Sequence, residues 1–292
     1  MRSENEMRSL LLSVAERDDR VRAVILNGSR ANPFVKRDRF QDFDVIYFVT
    51  EVASFLQEPD WIDVFGDRIV MQTPEASTLF PPDGDGHFTY LMLFTDGNRI
   101  DLSLYPLDRI SDCCADSLTV PLLDKDGRLP ALSPPSDRDY RIKRPGIAHF
   151  RDCCNEFWWT APYVAKSLWR DQLPYAQHHL GECTRAMLEQ MLTWQIGFAT
   201  DFSIGVGAHG KYLKRYLAPA EWKAYCSTFA GGTVENCWDA LFAATALFRQ
   251  SARRVASSLG ALYNEGEDER VAAYLQWVRS LPVEESSYKT GK

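Results

Sequence analysis

The stretch from Val21 to Thr50, VRAVILNGSRANPFVKRDRFQDFDVIYFVT, decides the reading of this chain. It opens on a short apolar run, Val21 to Asn27, and closes on a second, Phe43 to Thr50, which predicts two strands joined by a polar connection. The first run delivers the chain to Gly28-Ser29. A tight turn there presents backbone N–H groups and a hydroxyl, the physical basis on which a strand-to-helix junction holds phosphate. By itself a Gly-Ser pair is an ordinary turn. The second run begins Gln41-Asp42-Phe43-Asp44-Val45. Side chains alternate along a strand, so Asp42 and Asp44 share one face while Phe43 and Val45 share the other. Two carboxylates side by side repel each other and lose hydration, and a cation between them is the natural compensation. The plain alternative is a solvated strand end with turn-forming aspartates.

A third carboxylate tilts that balance. In Asn98-Arg99-Ile100-Asp101-Leu102-Ser103-Leu104, the apolar face is Ile100, Leu102 and Leu104, and Asp101 shares the polar face with Ser103. A strand carrying Asp101 beside the one carrying Asp42 and Asp44 brings three carboxylates together. Hard Mg²⁺ takes a few such oxygens plus substrate phosphates, and paired ions clamp an in-line displacement at phosphorus.

Further strands are predicted at Arg68 to Gln72 and Phe88 to Thr95, with an edge strand at Thr119 to Leu123. An amphipathic helix carries Met7, Leu10, Leu11 and Val14, and shorter helical stretches fall near Glu51 to Leu56 and Leu107 to Asp116. This half reads as mixed α+β. The segment from Asp124 to Asp139 concentrates Gly127, Pro130, Pro134 and Pro135, the composition of a connector. The expected division is therefore residues 1–133 and 134–292. Beyond it the period becomes helical: Leu180, Cys183, Met187, Met191, Trp194 and Phe198 fall on one predicted face, and Trp238, Leu241, Phe242, Phe248, Val255 and Leu259 on another. A helical bundle is expected there, interrupted by the glycine-rich SIGVGAHG at residues 203–210 and ended by a polar tail, EESSYKTGK, expected to fray.

Composition narrows the class. With 33 Lys+Arg against 40 Asp+Glu the 292-residue chain carries a formal charge of −7, unlike a protein that grips a nucleic-acid backbone. No apolar run reaches the roughly 20 residues of a membrane span, and the charged start has no signal-peptide core, so a cytoplasmic protein without membrane or nucleic-acid partners is expected. The seven cysteines lack zinc-site spacing and read as reduced packing residues.

Gly28-Ser29, twelve residues, then Asp42-hydrophobic-Asp44-hydrophobic, and a single Asp in a later strand resembles the nucleotidyltransferase superfamily. More narrowly, RAVILNGSRANP, QDFDVIYFVT, YLMLFTDGNRIDLSLYP and GKYLKRYL are similar to the aminoglycoside 6-adenylyltransferases that inactivate streptomycin, over most of the chain from Met1 to about Phe248. That resemblance implies an N-terminal nucleotidyltransferase-fold mixed sheet with flanking helices and a C-terminal helical domain for substrate and nucleotide. It also implies transfer of AMP from ATP to the streptomycin 6-hydroxyl, with Mg²⁺ as cofactor and a monomer as the working form. Asp42, Asp44 and Asp101 carry over as catalytic metal ligands, and Gly28 and Ser29 as the phosphate-holding turn. Arg30 is placed within reach of phosphate, and Lys166 and Lys211 near the triphosphate.

The resemblance leaves the general base open among Asp101, Glu156, Asp171 and Glu182. The run Phe157-Trp158-Trp159 with Tyr163 suits either helix packing or cation–π contact with a guanidinium-bearing acceptor. Tyr212 and Tyr216, four apart, read as core-lining. Nucleotidyl transfer to another small molecule, a protein or an RNA, and a non-catalytic nucleotide-sensing module, are the competing functions; retention of all three acids weighs against the last.

Overall fold

Ser3 starts the first helix, α1 (Glu4–Arg17): its hydroxyl accepts from the Glu6 N–H while the Glu6 carboxylate accepts from the Ser3 N–H. This capping box satisfies two of the donors that a helix start leaves open. Next come β1 (Val21–Leu26), the four-residue α2 (Gly28–Ala31), β2 (Phe43–Val49) and α3 (Ala53–Leu56). Then β3 (Arg68–Gln72), β4 (Phe88–Phe94), β5 (Arg99–Pro106), α4 (Ile110–Cys113) and β6 (Val120–Asp124) complete the first half. The computed structural model describes residues 1–80 and 84–282, and its contacts divide the chain into two units, Met1–Asp139 and Tyr140–Lys292. The tail expected to fray lies outside the described residues.

The six strands of the first unit form one mixed sheet in the order β3-β4-β5-β2-β1-β6. β2 and β5 run parallel and every other neighbouring pair antiparallel. The alternation expected for β2 and β5 is present. Phe43, Val45, Tyr47 and Val49 from β2 and Ile100, Leu102 and Leu104 from β5 are buried with Met7 and Leu11 of α1, which covers that face. The Tyr47 hydroxyl donates to the Leu11 carbonyl at 2.5 Å and anchors the helix. On the opposite face Ala23, Ile25 and Phe48 pack with Ile110 and Cys114, and the other end of that face is polar. A tie to the chain start fixes the turn of the β4–β5 hairpin: Asp96 accepts from the Arg2 Nε (2.7 Å) and N–H (3.0 Å), and Asn98 Nδ2 donates to the Arg2 carbonyl. Gly97 makes the turn with φ of 82°.

The second unit contains α5 (Ile147–Trp169), α6 (Leu173–His178), α7 (Arg185–Ala199), α8 (Pro219–Cys226), α9 (Val234–Leu259) and α10 (Glu265–Ser280). Phe157 stacks on Phe248 at 3.7 Å, and both are buried with Trp158, Met191 and Trp194. The aromatic run therefore splits: Phe157 and Trp158 are core, whereas Trp159 is exposed. One predicted helix face also splits. Between α6 and α7 the chain makes a π-helical turn, His179–Thr184, whose extra residue rotates α7 relative to α6. Leu180 consequently packs with Leu168, Trp238 and Leu241, while Met191 and Trp194 pack in the Phe157 core. Tyr216 is exposed rather than core-lining. All seven cysteines are free. Among the described residues no helix is long and apolar enough to cross a membrane.

Candidate active site

β1 ends where the Asn27 N–H bonds the Asp44 carbonyl at 2.8 Å, and the chain then turns sharply at Gly28 with φ of +69°. A left-handed φ favours glycine, and here space demands it too: a Cβ on Gly28 would fall 2.0 Å from Asp44 Oδ2. Across the parallel ladder Asp44 stands directly opposite Asp101, because Phe43 pairs with Ile100 and Val45 with Leu102. Parallel register puts equivalent side chains on one face, so the Gly28 turn, Asp44 and Asp101 come together on the polar end of the sheet.

The electrostatics are those of crowded acids. Burial raises the Asp44 pKa, and the neighbouring charges of Asp101 and Asp42 raise it further, to about 6, against the opposing pull of Arg99 and Arg30. Asp42 is also raised, first by burial and then by Asp101, with Arg99 opposing. Arg99 is the counter-charge. Its Nε and Nη2 each lie 2.8 Å from an oxygen of Asp101, a two-pronged pair, and Nε lies 3.7 Å from Asp42 Oδ2. Motif spacing misses Arg99, although the alternation that groups Asp101 with Ser103 also assigns Arg99 to that face.

Along the same face Ser103 bonds Thr89 at 3.0 Å, and the Thr89 N–H donates to Glu75 at 2.8 Å. Glu75 in turn lies 2.8 Å from His87 Nε2, and the imidazole stacks on Tyr105 and meets Asp85 through Nδ1. None of these residues belongs to a short motif.

Arg30 is engaged by protein groups. Its side chain is only 5% exposed, lies 3.8 Å over the Phe43 ring, and donates to the carbonyls of Asp42 (3.1 Å) and Gln41 (2.7 Å) and to Glu4. Its guanidinium holds the backbone that leads into Asp42. Arg37 is the exposed cation at the turn, with Nη1 3.4 Å from the Ser29 carbonyl. Ser29 itself is half-buried. Lys166 and Lys211 belong to the second unit. Lys166 is on α5 with Nζ 4.8 Å from the Tyr163 ring centre, and the exposed Lys211 has Nζ 5.3 Å from that of Tyr212. Of the possible bases, Asp101 is the one beside Asp44; Glu156, Asp171 and Glu182 are in the second unit.

A mixed sheet that sets paired acids beside a strand-to-helix Gly-Ser turn is the architecture of a nucleotidyltransferase domain, followed here by a helical unit. Residues 1–278 match the family model described as streptomycin adenylyltransferase, and the chain belongs to that family. It is similar to an aminoglycoside 6-adenylyltransferase of Bacillus subtilis (strain 168), 41% identical over 280 residues that cover 95% of this chain and 98% of the relative. It is also similar to one of Campylobacter jejuni, 40% identical over 276 residues, covering 94% and 95%. A crystal structure of the aminoglycoside 6-adenyltransferase from Bacillus subtilis aligns over 96% of this chain and all of the other, at 38% identity with a TM-score of 0.48.

Proposed function

We propose that the protein transfers AMP from ATP to a hydroxyl of an aminoglycoside, releasing pyrophosphate, and that the acceptor is the 6-hydroxyl of streptomycin. The observation that supports this most is the Gly28–Asp44–Asp101 constellation in a chain of this family.

The donor set suits Mg²⁺. Among the described residues no three His, Cys, Asp or Glu side chains already stand as a metal-ligating group. Mg²⁺, however, needs only one or two carboxylates when phosphates supply further oxygens. Asp42 and Asp44 are that pair, and burial, together with the neighbouring Asp101, raises the pKa of both, a cost that a bound cation would offset. When bound there, the ion neutralises triphosphate charge and favours ionisation of the acceptor hydroxyl.

The remaining steps fall to protein groups. The Gly28 turn, bare of a side chain, lets backbone N–H groups approach the phosphates, and Ser29 adds its hydroxyl. Arg30 holds the Asp42 backbone in place. Asp101 is the third carboxylate of the site and a further ligand for the ion. ATP as donor puts the reaction in the cytoplasm.

The test is to incubate the protein with Mg²⁺, each of the four NTPs and a panel of aminoglycosides, following pyrophosphate release and the mass of the drug. An AMP-sized gain on streptomycin with ATP is expected. Efficient modification of kanamycin with none of streptomycin would overturn the acceptor and leave the chemistry standing.

A further inference from the structure

Arg99 occupies the one acid that pairs in register with Asp44. Its guanidinium forms a two-pronged pair with Asp101, the geometry in which arginine binds a carboxylate most strongly. It also lies within 3.7 Å of Asp42 and is itself 43% exposed, so it remains open to a further anion. Three acids and one guanidinium therefore share this face. A divalent ion that is to use Asp101 must displace the guanidinium or share the carboxylate with it. A triphosphate changes that balance, because its oxygens offer the same fork an alternative anionic partner.

From this we infer that Arg99 is a positioning residue that couples cation binding to nucleotide binding. It holds Asp101 away from the metal in the free enzyme and releases it when a triphosphate arrives. This rests on the proposed cation site at Asp42 and Asp44. Arg99 raises the free energy of the metal-only complex but not of the metal–nucleotide complex, so metal and nucleotide bind synergistically, each tightening the other by the same factor.

The experiment measures Mn²⁺ binding to the full chain by calorimetry, with and without a non-hydrolysable ATP analogue, for wild type, Arg99→Met and Arg99→Lys. Arg99→Met should bind Mn²⁺ alone about tenfold more tightly than wild type and show a correspondingly smaller tightening by the analogue. Arg99→Lys, which keeps the charge but not the fork, should fall between and guards against loss of fold in the methionine variant. In an Asp101→Asn background the gain from Arg99→Met should shrink to about twofold or less, the mark of a shared partner. Unchanged Mn²⁺ affinity in Arg99→Met, or an equal gain in the Asp101→Asn background, would overturn the role of Arg99 while leaving the cation site intact. No Mn²⁺ binding by wild type even with the analogue would overturn both.

Discussion

The carboxylate of Asp44 lies so close against Gly28 that a Cβ at that position would sit 2.0 Å from Asp44 Oδ2. Gly28→Ala must therefore either displace Asp44 or open the turn, and its φ of +69° adds backbone strain. Overpacking of this kind costs about 1–3 kcal/mol. A lower melting temperature is expected together with a loss of turnover of about 100-fold or more, as befits a misplaced reacting group. Near-normal kcat in Gly28→Ala would show that the contact does not constrain the chemistry.

Asp42→Asn and Asp44→Asn should abolish turnover and leave the fold intact. For Asp44 the stability effect has a defined sign. Its carboxyl titrates at about 6 in the folded chain and near the ordinary carboxylate value when unfolded, so ionisation above that range opposes folding. In metal-free buffer at pH 7, Asp44→Asn should be more stable than wild type by about 1–3 kcal/mol, a difference that fades as the pH falls from about 6 to about 4. Denaturant melts at a series of pH values check this.

Asp96 gives the opposite pH dependence. Partial burial pushes its pKa up, but hydrogen bonds from the Arg2 side chain and N–H and from Asn98 outweigh that and hold it well below the usual carboxylate range. Its stabilisation is present above the unfolded pKa and is lost as pH falls through the lower, folded one. Asp96→Asn should cost about 1–2 kcal/mol at neutral pH. The gap between variant and wild type should narrow in acid.

In the helical unit Arg249 forms a two-pronged pair with Asp268, which is 1% exposed and also accepts from Tyr263; that hydroxyl accepts in turn from Trp158 Nε1. Asp268→Ala leaves a cation facing an apolar site and should destabilise by about 3–5 kcal/mol. Tyr263→Phe, which removes one link, should cost less than half as much. Thermal melts rank the two.

The proposed acceptor, streptomycin, is a polycation, and the protein carries a formal charge of −7. Attraction of that range is screened over about 8 Å at physiological ionic strength. Added salt should therefore raise KM for streptomycin more steeply than KM for ATP, which is held by short contacts. Parallel salt responses would argue against long-range steering of the acceptor.

Much of the first unit is written in local pattern. Ile100, Leu102 and Leu104 alternate with Asp101 and Ser103 cleanly enough to set both the strand and its two faces, and Asp42 and Asp44 are legible for the same reason. The contacts of Arg30 are not, since its partners, the Phe43 ring and Glu4, 26 residues away, lie beyond any local pattern. Arg99 escapes because its partners are Asp101 on its own strand and Asp42, which lies just before β2 and far away in sequence. The helical stripe beginning at Leu180 misleads because a π-helical turn inserts a residue without any change in composition.

The parallel register of β2 and β5 also determines where this gene tolerates length change. Asp44 and Asp101 are 57 positions apart in sequence yet are aligned by one short ladder. A residue inserted between Arg99 and Asp101 turns every later side chain of β5 to the opposite face, so the two acids keep their alignment only while that stretch keeps its length.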